Sequence, residues 1–274
     1  MRYSLILAFS IAFLTGCKQS DPEDVLDRIG DVVYFSGQTW DVKMSEYPVG
    51  PGPNYFSPYY NDVYVDELGY LHLKIAEHDG RWYSSEVVGR DIIGYGTFTW
   101  VIQGDVENIP ENIVLGLFTW DTESFFTQAN SEVDIEFSKW GNAEAQETMH
   151  YSVQPVNFGP YYPERTKEID TEPNDLVGVT THSFTWTDTL IEWSSYKGEG
   201  INETNKIAYW SFNLDHPARV KNEGGNVSAP IVIPAPGNVT NVRMNFWLLP
   251  WVSEAPTDGK VQEIVIRSFS YTPL

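Results

Sequence analysis

Residues 131–138 read SEVDIEFS, with Val133, Ile135 and Phe137 at every second place and Glu132, Asp134 and Glu136 between them. On an extended strand successive side chains point to opposite faces. The segment therefore buries its apolar set only by presenting three carboxyls together on the other side, whereas a helix would scatter both sets around its circumference. A β-sheet with one face in a core and the other lining a surface is implied. Like charges so close repel, so the acids need a reason to be there.

The same period recurs along the chain in short runs bounded by Gly, Pro, Asn and Asp. Residues 63–65 and 70–75 flank the turn Asp66-Glu67-Leu68-Gly69 and read as a hairpin. Runs at 82–88, 96–103, 114–120, 132–138 and 148–153 follow, and the second half adds 182–186, 190–195, 206–212, 242–247 and a final strand near 261–271. No long stretch carries apolar residues at helical spacing. About a dozen strands without intervening helices predict an all-β protein, a β-sandwich or jelly roll. Two long connections, 157–179 with Tyr161 and Tyr162 and 213–241 with His216, read either as functional rims or as plain surface excursions.

The N-terminus stands apart from the domain. Arg2 followed by the apolar run 5–14 has the layout of a secretory signal and is too short to read as a membrane span. It ends in Leu14-Thr15-Gly16-Cys17, which resembles the lipobox of bacterial lipoproteins, and Cys17 is the only cysteine. The resemblance implies a signal peptide over 1–16, lipid on Cys17, an acidic tether over 17–31 and one domain over 32–274. Such a domain is held outside the cytoplasm at the bacterial cell envelope, with the membrane engaged through lipid alone. Lys18, where an Asp would be associated with inner-membrane retention, favours the outer membrane. A lone cysteine leaves no disulfide. The formal net charge of −21 argues against nucleic acid, which needs a positive face, and weighs against a highly sulfated polymer. The domain is expected to be a monomer. Sequons at Asn202, Asn226 and Asn238 are read as chance matches.

At roughly 3.3 Å of rise per residue, the α-carbons of Glu132 and Glu136 lie about 13 Å apart. Two glutamates leaning together reduce that span toward the ~5–5.5 Å that a retaining glycosidase needs between nucleophile and acid/base. A carboxyl between two others keeps a proton: Asp134 would hold it against Glu132, and the neighbouring charge would keep Glu136 protonated as general acid. The same triplet also reads as solubilising charge or as ligands for calcium.

Glu132-Val133-Asp134-Ile135-Glu136 resembles the E-[ILV]-D-x-E signature of glycoside hydrolase family 16, and further stretches resemble that family in the same order. They are Ser85-Glu86-Val87 with Gly94-Tyr95-Gly96-Thr97-Phe98, Gly116-Leu117-Phe118-Thr119-Trp120, His182-Ser183-Phe184-Thr185-Trp186 with Ile191-Glu192-Trp193, and VRMNFW from Val242 to Trp247. The resemblance implies a concanavalin A-like jelly roll of two curved antiparallel sheets, with Glu132 as nucleophile, Asp134 as assisting carboxylate and Glu136 as acid/base. It puts Phe118, Trp120, Asn245 and Trp247 at glucan-contacting positions, where flat rings suit the apolar faces of sugars. Glu86, His150, Tyr151 and Gln154 are further cleft candidates, His150 being the one of the four expected to be a bystander. Trp140 is expected to supply a ring in place of the tryptophan that β-glucanases carry two residues before the nucleophile, where this chain has Asn130.

The signature also lacks the extra residue associated with laminarinases, agarases and carrageenases, which implies a regular strand rather than a bulge and tilts the substrate toward mixed-linkage or related β-glucans. The expectation is a retaining, endo-acting glycoside hydrolase that cleaves a β-linked polysaccharide. It needs no metal or organic cofactor for catalysis; a structural calcium enters by family analogy alone. The alternatives are a transglycosylase using the same carboxylates, a non-catalytic glycan-binding surface lipoprotein, and a structural surface protein with calcium on its acidic face.

Overall fold

A computed structural model describes residues 32–156, 165–216 and 231–274. The signal segment, Cys17, the tether, Tyr161, Tyr162 and Asn226 lie outside the described residues. In chain order the strands are β1 (Val32–Phe35), β2 (Gln38–Val42), β3 (Val63–Val65), β4 (Leu71–His78), β5 (Arg81–Tyr83), β6 (Ser85–Gly89), β7 (Gly96–Asp105) and β8 (Ile113–Trp120). After one helical turn, α1 (Phe125–Gln128), come β9 (Val133–Ser138), β10 (Met149–Val153), β11 (Thr166–Ile169), β12 (Val177–Trp186), β13 (Leu190–Lys197), β14 (Lys206–Asn213), β15 (Asn241–Leu248) and β16 (Gln262–Pro273).

These strands form the expected all-β sandwich. One sheet runs β1-β2-β6-β15-β8-β9-β10-β11 and the other β14-β13-β12-β7-β16-β4-β3, with β5 added to β4. Their inner faces share one core, in which Leu115, Leu117, Ile135, Tyr151 and Met244 of the first sheet meet Phe98, Trp100, Phe184 and Trp193 of the second. Each large side chain buried in this way contributes roughly 1.5–3 kcal/mol. The core also holds the acidic strand in place, because the Trp193 indole donates a 3.0 Å hydrogen bond to the carbonyl of Asp134. A second tie crosses the sandwich from Tyr151, whose hydroxyl lies 2.5 Å from Ser195 Oγ. Ser195 is itself bonded to the buried His182, and burial pushes that imidazole down to about 3, so it is neutral.

Three elements differ from the sequence reading. The run 82–88 is two strands, because the chain crosses between sheets at Ser84: β5 pairs with β4 and β6 with β2 and β15. The crossing is satisfied, Ser84 N donating to Tyr55 O and Ser84 Oγ to Asn54 Oδ1. Alternation alone does not reveal which sheet a residue faces. The hairpin of β1 and β2 was not expected; Ser36 and Gly37 at its tip both take positive φ (51° and 77°), as a tight two-residue hairpin turn requires. Within the connection expected over 157–179, β11 pairs with β10 as an edge strand. Its sequence TKEI is too short and polar to carry a periodic signal.

Candidate active site

The outer face of the first sheet is where the alternation comes due. Pairing is regular across β9, with Gly116 opposite Glu136 and Phe118 opposite Asp134, and no register shift interrupts its pairing with β10. On the far side of β8, β15 sets Arg243 beside Phe118 and Asn245 beside Gly116, and Asn245 stands opposite Glu86 of β6. These outward residues share a cleft of about 370 Å³ with Glu132, Trp120, Trp247, Lys43, Gly50 and Pro51. Gly116 opens its floor. A Cβ there would lie 2.5 Å from Asn245 Oδ1.

Glu132 is delivered by a strained turn. Ala129, Asn130 and Ser131 all take left-handed φ (49°, 62° and 52°), a conformation that costs an L-residue roughly 1–2 kcal/mol. Hydrogen bonds hold the turn. Asn130 Nδ2 donates to Asp121 O, Asp121 N to Asn130 O, Thr119 Oγ1 to Ser131 O, and Ser131 Oγ to Ala235 O. Strain that the surroundings over-determine in this way is characteristic of functional sites. Asn130 is therefore a buried clamp, which accounts for an asparagine at a place where a ring would stack.

Electrostatics in the cleft divide into an acidic and a basic side. Burial, followed by the charge of Glu136, pushes Glu132 well above the usual carboxylate range, while Arg243 and a hydrogen bond from Asp134 oppose the rise. Asp134 is pushed well up by burial and by the charges of Glu132 and Glu136; the Gln154 amide, 3.3 Å away, opposes this, and its bond to Glu132 adds to it. The hydrogen bond between the two raises the proton affinity of Asp134 and lowers that of Glu132. Burial pushes Glu136 up to about 7. Facing them, the nearly fully buried Glu86 ties Lys43 Nζ at 2.8 Å and Arg243 Nη1 at 3.4 Å. Two cations on one carboxylate leave that side net positive. Arg243 also packs over the Trp120 ring, 5.5 Å from its centre. Asn245 Oδ1 is buried and has no hydrogen-bond partner among the described residues, an acceptor held ready for a ligand.

The structure gathers Glu132, Asp134, Glu136, Glu86, Phe118, Trp120, Asn245 and Trp247 in this cleft. Phe118 is 8% exposed and meets Trp120 edge-on at 6.4 Å, so it serves the wall more than an open platform. Trp140 and Gln154 line an adjoining hollow of about 170 Å³ that also contains Glu136, His150, Ser152 and Glu168. Tyr151 is a correction. In the register of β9 with β10, His150 is opposite Glu136 and Tyr151 opposite Ile135, so Tyr151 belongs to the core and His150, read as the bystander, faces the site. The His150 ring donates to Ser138 O at 3.0 Å, and burial lowers its proton affinity. The run MHYSV alternates apolar Met149, Tyr151 and Val153 with polar His150 and Ser152, so its parity was within reach of the sequence. Lys43 and Arg243 were missed. Arg243 shares parity with Asn245 and Trp247 in VRMNFW and was within reach of the sequence; Lys43 arrives through tertiary folding of the segment after β2. Among the described residues no group of three or more His, Cys, Asp or Glu side chains is gathered to hold a metal ion, and no helix is long and apolar enough to cross a membrane.

No protein-family model matches the chain, and no curated protein matches it. Solved structures do. The chain is similar to a β-glucanase of Bacillus licheniformis, with a TM-score of 0.58 and 16% identity over 90% of this chain and 100% of that one. It is similar to a prokaryotic β-1,3-1,4-glucanase (lichenase) derived from a mouse hindgut metagenome, at 0.56 and 18% over 88% and 96%. It is also similar to an immunostimulatory antigen and pseudo β-1,3-glucanase of Mycobacterium tuberculosis, at 0.57 and 16% over 86% and 91%. At such identities the likeness establishes the fold, the jelly-roll sandwich of β-glucanases.

Proposed function

We propose that the protein is a retaining, endo-acting glycoside hydrolase of a β-linked polysaccharide, with β-glucan favoured, tethered to the bacterial envelope by lipid on Cys17. One observation carries the hydrolase reading. The carboxyl triplet lies where two hollows meet, since Glu136 lines both the cleft beneath Trp120 and Trp247 and the hollow beside Trp140 and His150. Sugar units on either side of the scissile bond would then each have a bed, as cleavage inside a chain requires.

The chemistry follows from the proton assignments. Burial and Glu136 favour a proton on Glu132, while Arg243 and the hydrogen bond from Asp134 oppose it; in the reading proposed here the proton stays on Asp134, and Glu132 attacks the anomeric carbon as the carboxylate. Glu136, protonated up to about pH 7, gives its proton to the departing glycosidic oxygen, leaving a glycosyl ester on Glu132. Glu136, now a carboxylate, takes a proton from water; the hydroxide oxygen bonds to the anomeric carbon and Glu132 leaves as carboxylate. Asn245 Oδ1 accepts from a sugar hydroxyl. Trp120 offers a ring for stacking, and Trp247, 7% exposed, serves the wall as Phe118 does.

The test is a panel of neutral β-linked polysaccharides assayed for new reducing ends, with NMR of the first-formed anomer. Oligosaccharide products of retained configuration are expected. Inverted products, or monosaccharide alone, would refute the mechanism or the endo action, respectively. For the anchor, Cys17→Ser is expected to release the protein from membranes into the soluble fraction.

A further inference from the structure

A second hollow, of about 580 Å³, lies outside the catalytic cleft and exceeds it in volume. The two are separated by one short segment. Gly50 and Pro51 line the cleft, while Pro53 and Asn54 line the second hollow. The partition is tightly packed: Gly52 takes φ +54°, and a Cβ there would stand 3.0 Å from the Trp247 ring and 3.2 Å from Pro250. Tyr55, Trp82 and Trp251 supply the rings of the second hollow, and Arg81 and Glu254 its charged groups.

Both of its walls are held rigidly. On one, the buried Asn54 side chain donates to Pro51 O and Leu248 O and accepts from Ser84 Oγ. On the other, the buried Asn112 donates to Ser253 O and Ala255 O and accepts from Thr257 N, and Leu249 N donates to Asn112 O. Trp251 rides on this pinned loop, yet it is 65% exposed. An indole kept in water by a fixed backbone is a preorganised contact surface.

The chemistry selects the ligand. Stacking rings beside a guanidinium, which itself lies 4.2 Å over the Tyr55 ring, and a carboxylate suit a molecule with flat apolar faces and hydroxylated edges, a pyranose. A nucleobase would stack as well, but its phosphates meet a protein of formal net charge −21. Continuity selects the source. The Trp251 ring centre stands 6.3 Å from that of Trp247, which belongs to the cleft wall. We infer that this hollow is a second glycan-binding site, holding a further stretch of the polysaccharide whose scissile bond lies in the cleft; the identity of the sugar rests on the hydrolase reading above.

The experiment titrates a soluble mixed-linkage β-glucan, and a tetrasaccharide cut from it, into Glu132→Gln protein with and without Trp251→Ala or Arg81→Ala. Trp251→Ala is expected to weaken polymer binding about tenfold and to leave tetrasaccharide binding within about twofold, with Arg81→Ala acting in the same sense but less. Polymer affinity unchanged in both variants, or tetrasaccharide affinity lost as fully as that of the polymer, would overturn the second site. Reducing-end release by the wild-type protein from the same glucan is measured alongside. Release with unchanged variant binding removes the second site and leaves the hydrolase standing. Neither release by the wild-type protein nor binding by Glu132→Gln, with this glucan and with every polysaccharide of the panel above, removes both.

Discussion

The outer faces of the two sheets obey the same alternation and treat their polar groups in opposite ways. On the second sheet, hydroxyls directly opposite one another satisfy each other: Thr97 with Thr185 and Thr99 with Ser183, each pair at 2.9 Å. That is a structural ladder. On the first sheet, three carboxyls crowd one strand, one asparagine acceptor has no partner, and Glu86 holds two cations at the cleft edge. A fold spends buried polarity in this way only where a ligand completes it. The difference separates scaffold from site more sharply than conformation does, since both faces are antiparallel sheet and the register shifts fall on the second, at Ser195/Tyr196 and Ile266/Ser268.

The largest expected effect tests the acidic face. Glu132→Gln should lower turnover by about 10⁴-fold or more while raising the melting temperature, because it removes one of three repelling, desolvated acids. A loss of activity that tracked a loss of stability would erase the contrast between the faces. Glu136→Gln should cost about 10²–10⁴-fold on substrates with unactivated leaving groups. In the parent, kcat/KM should fall as pH rises through about 7, where Glu136 loses its proton. Stability should move in the same direction. A carboxyl raised from 4.5 to about 7 gives the native state more bound protons across that window, so its contribution is complete below about 4.5 and lost by about 7. A pH titration of the melting temperature, flattened over that window in Glu136→Gln, checks it.

Arg243→Met should raise the pH at which the acid limb of kcat/KM appears and reduce activity about tenfold, because the cation beside Glu132 opposes its protonation. Arg243→Lys should restore most of the limb's position. A smaller effect is expected in the core: Tyr151→Phe removes the inter-sheet bond to Ser195 at a cost of about 1–2 kcal/mol, or roughly 2–8 °C in a domain of this size, with turnover unchanged. Smallest is the back face. Replacing both Thr97 and Thr185 by Val removes a half-buried pair together, and a change within about 0.5 kcal/mol by chemical denaturation is expected.

Much of the site was readable because strand parity is a local property. Once SEVDIEFS is a strand, Glu132, Asp134 and Glu136 share a face, and the same logic in VRMNFW puts Asn245 and Trp247 together. In MHYSV the polar His150 and Ser152 mark the acid side and Tyr151 the core, yet Tyr151 was read onto the cleft because a tyrosine suits either environment. Where a chain changes sheets, as at Ser84, the alternation continues while its meaning reverses. Lys43 carried no local signal at all, because its place in the cleft depends on contact with Glu86, 43 positions along the chain.

The sequence by itself determined most of the strands, the face each acid occupies, and the regular course of β9, because these follow from the two-residue period of an extended backbone. Tertiary structure alone decided which faces meet: that Arg243 and Lys43 join the acids in one cleft, and that Trp251 borders a hollow of its own. Those outcomes depend on distances between segments remote in sequence, and on the burial that lifts Glu136 to about 7, neither of which any local pattern encodes.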